Sequence, residues 1–305
     1  MTVPHPTSSS VRALPVAFIW RRVHSLMGLW LVIFLCEHLF VNAQAALWLG
    51  DDGKGFVNLV NLLQAIPALQ VVEIVLIGTP ILVHTIWGIQ RVYEAKTNTW
   101  RSDGSKPSLP GYARNQAFTW QRITSWILIL GIFVHVLQMR FIDYPKKAFL
   151  NNQELAMVRI SSDEGLHSLA ARMNVSLFSA VQIADLQKET ALFSDEKSAW
   201  FRQLTSFSLK HDQLVAVAPD RGTAMLLTVR DTFKSPVMEI FYSLFLLAAL
   251  FHAFNGFWTF LLTWGLILSI ASQKAFQKLG LFGMVVLSIL GLSAIWITFW
   301  INLRH

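Results

Sequence analysis

The sequence predicts an all-α membrane protein of five transmembrane helices, with a small α/β extracytoplasmic insert between helices three and four. Three observations carry that expectation. Of 305 residues, 54% are hydrophobic and only 14% are charged, and the mean hydropathy is +0.48, too apolar for a water-soluble domain of this length. Apolar runs at 25–47, 68–92, 120–142, 237–265 and 279–302 each reach the roughly 20 residues that a helix needs to cross a bilayer. Between Tyr144 and Ser235, by contrast, charges occur throughout and no spanning run is found. The chain therefore divides into 1–143 with helices one to three, 144–235 as the insert, and 236–305 with helices four and five. Helices suffice for the spans, because in lipid the backbone must satisfy its own hydrogen bonds.

Charge orients the bundle. Arg12, Arg21 and Arg22 precede the first run, and Arg91, Lys96, Arg101, Lys106, Arg114 and Arg122 surround the second connection. Lys274 and Lys278 follow the fourth run, whereas the first connection holds Asp51, Asp52 and a single Lys54. Basic residues favour the cytoplasmic side, so the N-terminus is expected in the cytoplasm and the C-terminus outside. The net charge of +7 thus reports topology rather than nucleic-acid binding. Ala43-Gln44-Ala45 after the first run superficially resembles a signal-peptide cleavage site, but a polar, basic stretch precedes that run and four more spans follow. Cys36, the only cysteine, excludes an internal disulfide and any C-x-x-C motif for metal or covalent haem.

In the insert, "MVRISS" reads as a strand. Ser162 or Asp163 is positioned to cap a helix through Arg172, and "QLVAVAPDRGTAMLLTV" has hairpin character around Asp220-Arg221-Gly222. No catalytic motif accompanies these elements.

The histidines carry the chemistry. His38, His84, His135 and His252 each lie deep in a different apolar run, where an ionisable side chain is costly unless something binds it. Their depths follow from the charged flanks. His38 lies about 24 Å of helix beyond Arg22 and His135 about 20 Å beyond Arg122, toward the outside; His84 lies about 10 Å from Arg91, and His252 about 20 Å inward of Glu239. Two levels with two histidines each are what two bis-histidine haems stacked across a membrane require, since each iron takes one imidazole from either side. Gly88, Gly131 and Gly256 lie on the same helix faces as His84, His135 and His252, where they leave room for a flat macrocycle.

The stretches "RRVHSLMG" and "EHLFVN" in the first span, "PILVHTIWG" in the second, "WQRITSWILILGIFVHV" in the third and "FHAFNGFWTFLLTWG" in the fourth resemble a known family. It is the dihaem cytochrome b membrane-anchor subunit of bacterial succinate dehydrogenases (succinate:menaquinone oxidoreductases) and the related fumarate reductases. The resemblance implies axial ligation of a distal haem by His38 and His135 and of a proximal haem by His84 and His252, the pairing that the depths suggest. It implies two haem b, menaquinone as substrate, and two cytoplasmic partners: a flavoprotein subunit carrying FAD and an iron-sulfur subunit. Succinate oxidation in the tricarboxylic acid cycle would feed respiratory electron transport in the bacterial cytoplasmic (inner) membrane. The 144–235 insert departs from the compact family pattern.

Glu37, beside His38, and Glu73, at the outer end of the second span, are candidates for protonating a quinone near the distal haem, with a helix-contact acid as the alternative for both. Arg21, Arg22, His24, Ser25, Arg91 and Arg122 line the cytoplasmic edge, where haem propionates or the iron-sulfur subunit would meet them. Two other functions share part of this pattern: a cytochrome b anchor serving fumarate reductase, hydrogenase, formate dehydrogenase or nitrate reductase, and a haem-free transporter with a histidine relay.

Overall fold

The computed structural model describes residues 14–47, 50–94, 98–101, 103–104, 108–150, 153–188 and 195–305, with the side chains of 47 and 195–198 left aside. His5, Arg12, Lys96 and Lys106 lie outside the described residues.

Among the described residues, five helices are long and apolar enough to cross a membrane: Val16–Ala46, Leu69–Glu94, Ala113–Ile142, Pro236–Thr263 and Ile270–Trp296. They are labelled α1, α3, α4, α9 and α10, and they bear out the all-α membrane fold. α1, α4 and α10 begin seven to nine residues before their apolar runs, because polar first turns continue the backbone hydrogen bonding. Pro236 starts α9 at a position where its missing N–H is not needed, and the Ser269 hydroxyl accepts from the Ser272 N–H to cap α10. Among the described residues, turns widen to π geometry at Ile74–Gly78 inside α3, Leu137–Ile142 at the end of α4, and Thr298–Asn302 after α10.

An additional amphipathic helix, α2 (Lys54–Gln64), buries Phe56 and Val60 and crosses between α1 and α3. Sequence reasoning left it as a connection, because eleven residues are too few for a span and Gly53 gives no side-chain cap.

The insert builds a four-stranded antiparallel sheet in the order β1-β2-β4-β3, from Lys146–Leu150, Gln153–Ser161, Ser176–Ser179 and Gln213–Ala218 numbered in chain order. The helices between the strands are α5 (Leu166–Arg172), α6 (Ala180–Lys188), α7 (Asp195–Thr205) and α8 (Arg221–Thr232). Strand alternation sorts the core. Ala156, Val158 and Ile160 of β2 and Ala216 of β4 face α5 and α8, in one cluster that continues into Leu39 of α1, Phe56 of α2, Leu246 of α9 and Ile295 of α10. Met157, Val215 and Val217 point the other way, onto Ile183, Phe201 and Leu204 of α6 and α7. The insert and one end of the bundle therefore share a hydrophobic core.

Two local expectations fail here. The Asp220-Arg221-Gly222 segment is a helix start instead of a hairpin turn: the Asp220 carboxylate accepts from Thr223 N–H at 2.8 Å and caps α8. Neither Ser162 nor Asp163 caps α5, which begins after Gly165. Asp163 is drawn instead to Arg230, which donates to both of its oxygens at 2.7 Å, and to Lys234 at 2.5 Å. The pair closes over the chain end, where the buried Arg230 also donates to the Leu303 carbonyl at 2.6 Å.

Candidate haem sites

The four span histidines come together in two pairs. His38 of α1 and His135 of α4 face each other with ring centroids 5.8 Å apart and planes at 78°. His84 of α3 and His252 of α9 do so at 6.2 Å and 76°. Two imidazoles on opposite sides of one iron, each with a metal–nitrogen bond of about 2 Å, hold their ring centres about 6 Å apart. Both separations fit that arrangement. Among the described residues no group of three or more His, Cys, Asp or Glu side chains is placed to hold a metal ion. A haem asks the protein for only two ligands, because its macrocycle supplies the rest.

Hydrogen bonds orient these rings. His84 Nδ1 lies 3.1 Å from the His24 carbonyl, and His252 Nδ1 lies 3.2 Å from the Gln121 carbonyl. A carbonyl only accepts, so the hydrogen sits on Nδ1 and the Nε2 lone pair is left for a metal. His135 Nδ1 lies 3.2 Å from the Tyr242 hydroxyl, which itself donates to Gln138 Oε1 at 3.2 Å and so accepts from the imidazole. His38 stacks on Phe34 at 5.5 Å, and its carbonyl accepts from Asn42 at 2.8 Å.

Gln121 also donates to the His252 carbonyl at 3.1 Å and accepts from Asn255 at 2.8 Å, which locks α4 to α9 beside that pair. Gly28 has a similar positioning role, since a Cβ there would stand 2.9 Å from Cε1 of His84. Sequence reasoning missed Gln121, Tyr242 and Gly28. Their partners lie on other helices, and the one local signal was the placement of Gly28 four residues after His24, on the same helix face.

Of the glycines singled out for a macrocycle, Gly131 meets a neighbouring side chain closely and Gly88 and Gly256 do not. The Phe245 ring fills the position a Cβ of Gly131 would take, while Gly88 faces His24 Nε2 at 3.8 Å and Gly256 faces Gln121 Nε2 at 3.6 Å.

At the opposite end from the insert, the edge residues divide into two groups. Arg22 donates to the Thr263 carbonyl and lies over Phe18 and Trp264 at 4.9 and 4.7 Å. Ser25 donates to the Arg22 carbonyl and accepts from Trp264, both at 2.9 Å. Arg91 pairs with Glu94 at 2.7 Å and covers Trp87, and Arg21 is exposed. His24 and Arg122 differ: His24 Nε2 and one terminal nitrogen of Arg122 are buried with no hydrogen-bond partner among the described residues. The His24 ring stacks on His84 at 4.0 Å and 11°. Buried polar atoms of this kind call for a partner that the described residues do not supply, and the carboxylates of a haem beside His84 and His252 would fit that need if His24 carries its hydrogen on Nε2.

Of the two candidate acids, Glu37 is exposed on the outside of α1 between Ile33 and Phe40, and makes no hydrogen bond or ion pair with a described residue. Glu73 is tied to Arg140 at 2.5 Å. Cys36 is a half-buried free thiol.

No protein-family model and no solved structure matches the chain. Its sequence is 24% identical over 279 residues to the succinate dehydrogenase cytochrome b558 subunit of Bacillus subtilis (strain 168), a match covering 91% of this chain and 95% of that protein. A similarity running nearly end to end through both chains, over five membrane spans, bears out the resemblance drawn from the residues, to the cytochrome b membrane anchor of succinate dehydrogenases.

Proposed function

We propose that this chain anchors a succinate dehydrogenase in the membrane and, through two b haems, carries electrons from a partner iron-sulfur subunit to menaquinone. His38 and His135 are the axial ligands of the distal haem, and His84 and His252 those of the proximal one. The observation that carries this reading is the pair of facing imidazoles at each level, at a spacing that suits one iron. When bound, such haems supply one-electron carriers whose axial positions are both filled, which suits electron transfer rather than oxygen chemistry.

The chain's own residues have three tasks. The carbonyls of His24 and Gln121 fix His84 and His252 with their Nε2 atoms free. One terminal nitrogen of Arg122, and His24 Nε2 in the tautomer that carries its hydrogen there, would donate to the proximal haem carboxylates, while Arg22, Ser25 and Arg91, engaged with protein partners, shape the rim toward the iron-sulfur subunit. Glu37 faces the lipid through which an apolar quinone arrives and is placed to give it a proton. Glu73, held by Arg140, is the lesser candidate. The flavoprotein subunit, with its FAD, oxidises succinate on the cytoplasmic side. Electrons moving outward gain about 2.3 kcal/mol per charge for each 100 mV crossed in full, which assists a weak reductant against a low-potential quinone.

The test is purification of the native complex. A flavoprotein and an iron-sulfur protein should accompany the chain, with two acid-acetone-extractable haems per chain and succinate:menaquinone activity. A nickel or molybdenum enzyme in their place, or absence of b-type absorption bands, overturns the reading.

A further inference from the structure

The two histidine pairs differ in what stands behind them. His84 and His252 donate to backbone carbonyls, which do not titrate. His135 donates to Tyr242, Tyr242 donates to Gln138 Oε1, and the Gln138 side chain is hydrogen-bonded to Asp143. Every donor in this series points the same way, from His135 toward the carboxylate. The π turn makes this possible: Asp143 N–H reaches back to the Gln138 carbonyl at 2.8 Å, which folds Asp143 over the Gln138 side chain.

Asp143 is not sealed in. It lines a cleft of about 650 Å³ between the end of α4 and the insert, and a second cavity of about 210 Å³ that Gln138, Thr232 and Met238 also border. Even the smaller volume has room for several waters. Both cavities have Asp143 and Arg159 in their walls, so the carboxylate stands between the polar series and the space beneath the insert.

We propose that Asp143 is a proton-uptake site for the distal haem, coupled to His135 through Gln138 and Tyr242. This rests on the assignment of His38 and His135 as haem ligands. When the iron between them gains one electron, from an iron-sulfur cluster or from dithionite in a titration, Asp143 takes one proton from water in the cleft and becomes a carboxylic acid. The added negative charge is thereby compensated by one positive charge. The hydrogen-bonded series transmits polarisation; no proton need cross the Gln138 amide.

The surroundings of Asp143 suit such a role. Burial pushes its carboxyl up from the ordinary carboxylate range, as does the negative charge of Asp231 on α8, while the Gln138 hydrogen bond and the charge of Arg159 on β2, 3.7 Å away, work against this. Asp231 is itself paired with Lys234 at 2.9 Å. On the cleft side the charged neighbours are Arg140, bound to Glu73, and Lys146 and Lys147 of β1. Beyond Gln138 the titratable neighbour is the Tyr242 phenol.

Redox titration of the haem-loaded complex at several pH values tests the proposal. The distal couple is the one lost in His135→Ala. Its midpoint potential should fall with rising pH, approaching about 59 mV for each tenfold drop in proton concentration where one proton follows one electron, and the proximal couple should stay nearly flat. Asp143→Asn should flatten the distal slope with both haems retained. Tyr242→Phe, which removes the hydroxyl but keeps the ring, should weaken it. A distal potential that is flat in the native chain, or a slope unchanged in Asp143→Asn, overturns the proposal while leaving the haem assignment intact. If His135→Ala removes no haem, the ligand assignment fails and this inference fails with it.

Discussion

His84 and His252 meet across the bundle with ring centres 6.2 Å apart and ring planes at 76°. The angle has a spectroscopic consequence. Each imidazole donates π density to the iron orbital perpendicular to its own plane, so nearly crossed rings load two orbitals almost equally and leave them close in energy. Low-spin ferric haem held this way should give a highly anisotropic electron paramagnetic resonance signal, and the 78° of His38 and His135 predicts the same for the second haem. His84→Ala should remove one such signal and leave the other. Rhombic signals of the kind given by parallel rings would contradict the geometry of both pairs.

Glu37 predicts a separation of electron transfer from proton delivery. It stands on the lipid-facing side of α1 beside His38, with no partner among the described residues, and a carboxylate there is costly unless it stays protonated or meets water and a polar ligand. Glu37→Gln keeps shape and hydrogen-bonding reach, so both haems should remain. Menaquinone reduction should slow, while succinate oxidation with an artificial acceptor at the flavoprotein continues. Unchanged quinone reductase rates across the pH range would return Glu37 to the class of helix-contact acids.

The spans were legible because each is a predominantly apolar run of spanning length, and because charged flanks locate each of the four span histidines along its own helix. That reasoning is one-dimensional and works where depth is the question. It does not reach contacts between helices, so the Gln121 clamp on His252 and the Tyr242 bond to His135 left no local signature. The insert shows the same limit. Asp220-Arg221-Gly222 has turn composition, yet Asn61 of α2 accepts from Gly222 N–H at 2.8 Å and donates to Asp220 at 2.8 Å, which helps to fix a helix start there. Tertiary partners thus decide between two local conformations that the residues alone allow.

Gly28 predicts a steric requirement at the proximal pair. Any side chain begins 2.9 Å from the His84 ring, and that ring is anchored to the His24 carbonyl and stacked on the His24 ring. Gly28→Ala should displace His84 by a few tenths of an ångström and weaken proximal haem retention by roughly 10- to 100-fold, the range seen when the support of a metal ligand is disturbed. Gly28→Leu should leave one haem per chain, with the His38–His135 signal intact. Full retention of both haems in the leucine variant would show that α1 can move away without consequence.

Asp163 predicts how the insert answers to acid. Burial alone would raise its carboxyl, but hydrogen bonds from Arg230 and Lys234 and their positive charges outweigh that and hold it at about 2. An unfolded aspartate titrates near about 3.9, so the pair contributes stability that is complete above that value and is lost as pH falls through about 2. The difference corresponds to between about 2 and 3 kcal/mol. Removing the carboxylate at neutral pH has the same root as protonating it in acid: Arg230, 1% exposed, stays charged and buried without its counter-charge. Asp163→Asn should destabilise the docked insert by roughly 3 kcal/mol at neutral pH. Amide hydrogen exchange over β2, α8 and the chain end at Leu303 is the direct measure, since Arg230 of α8 bonds Asp163, two residues past β2, and the Leu303 carbonyl, while Lys234 bonds the Ser161 carbonyl of β2. The variant should exchange faster there at pH 7 and lose the acid-dependent step between about pH 4 and 2 that the native chain shows. Equal protection in both proteins at pH 7 would mean that the shared hydrophobic core, rather than this ion pair, fixes the insert to the bundle.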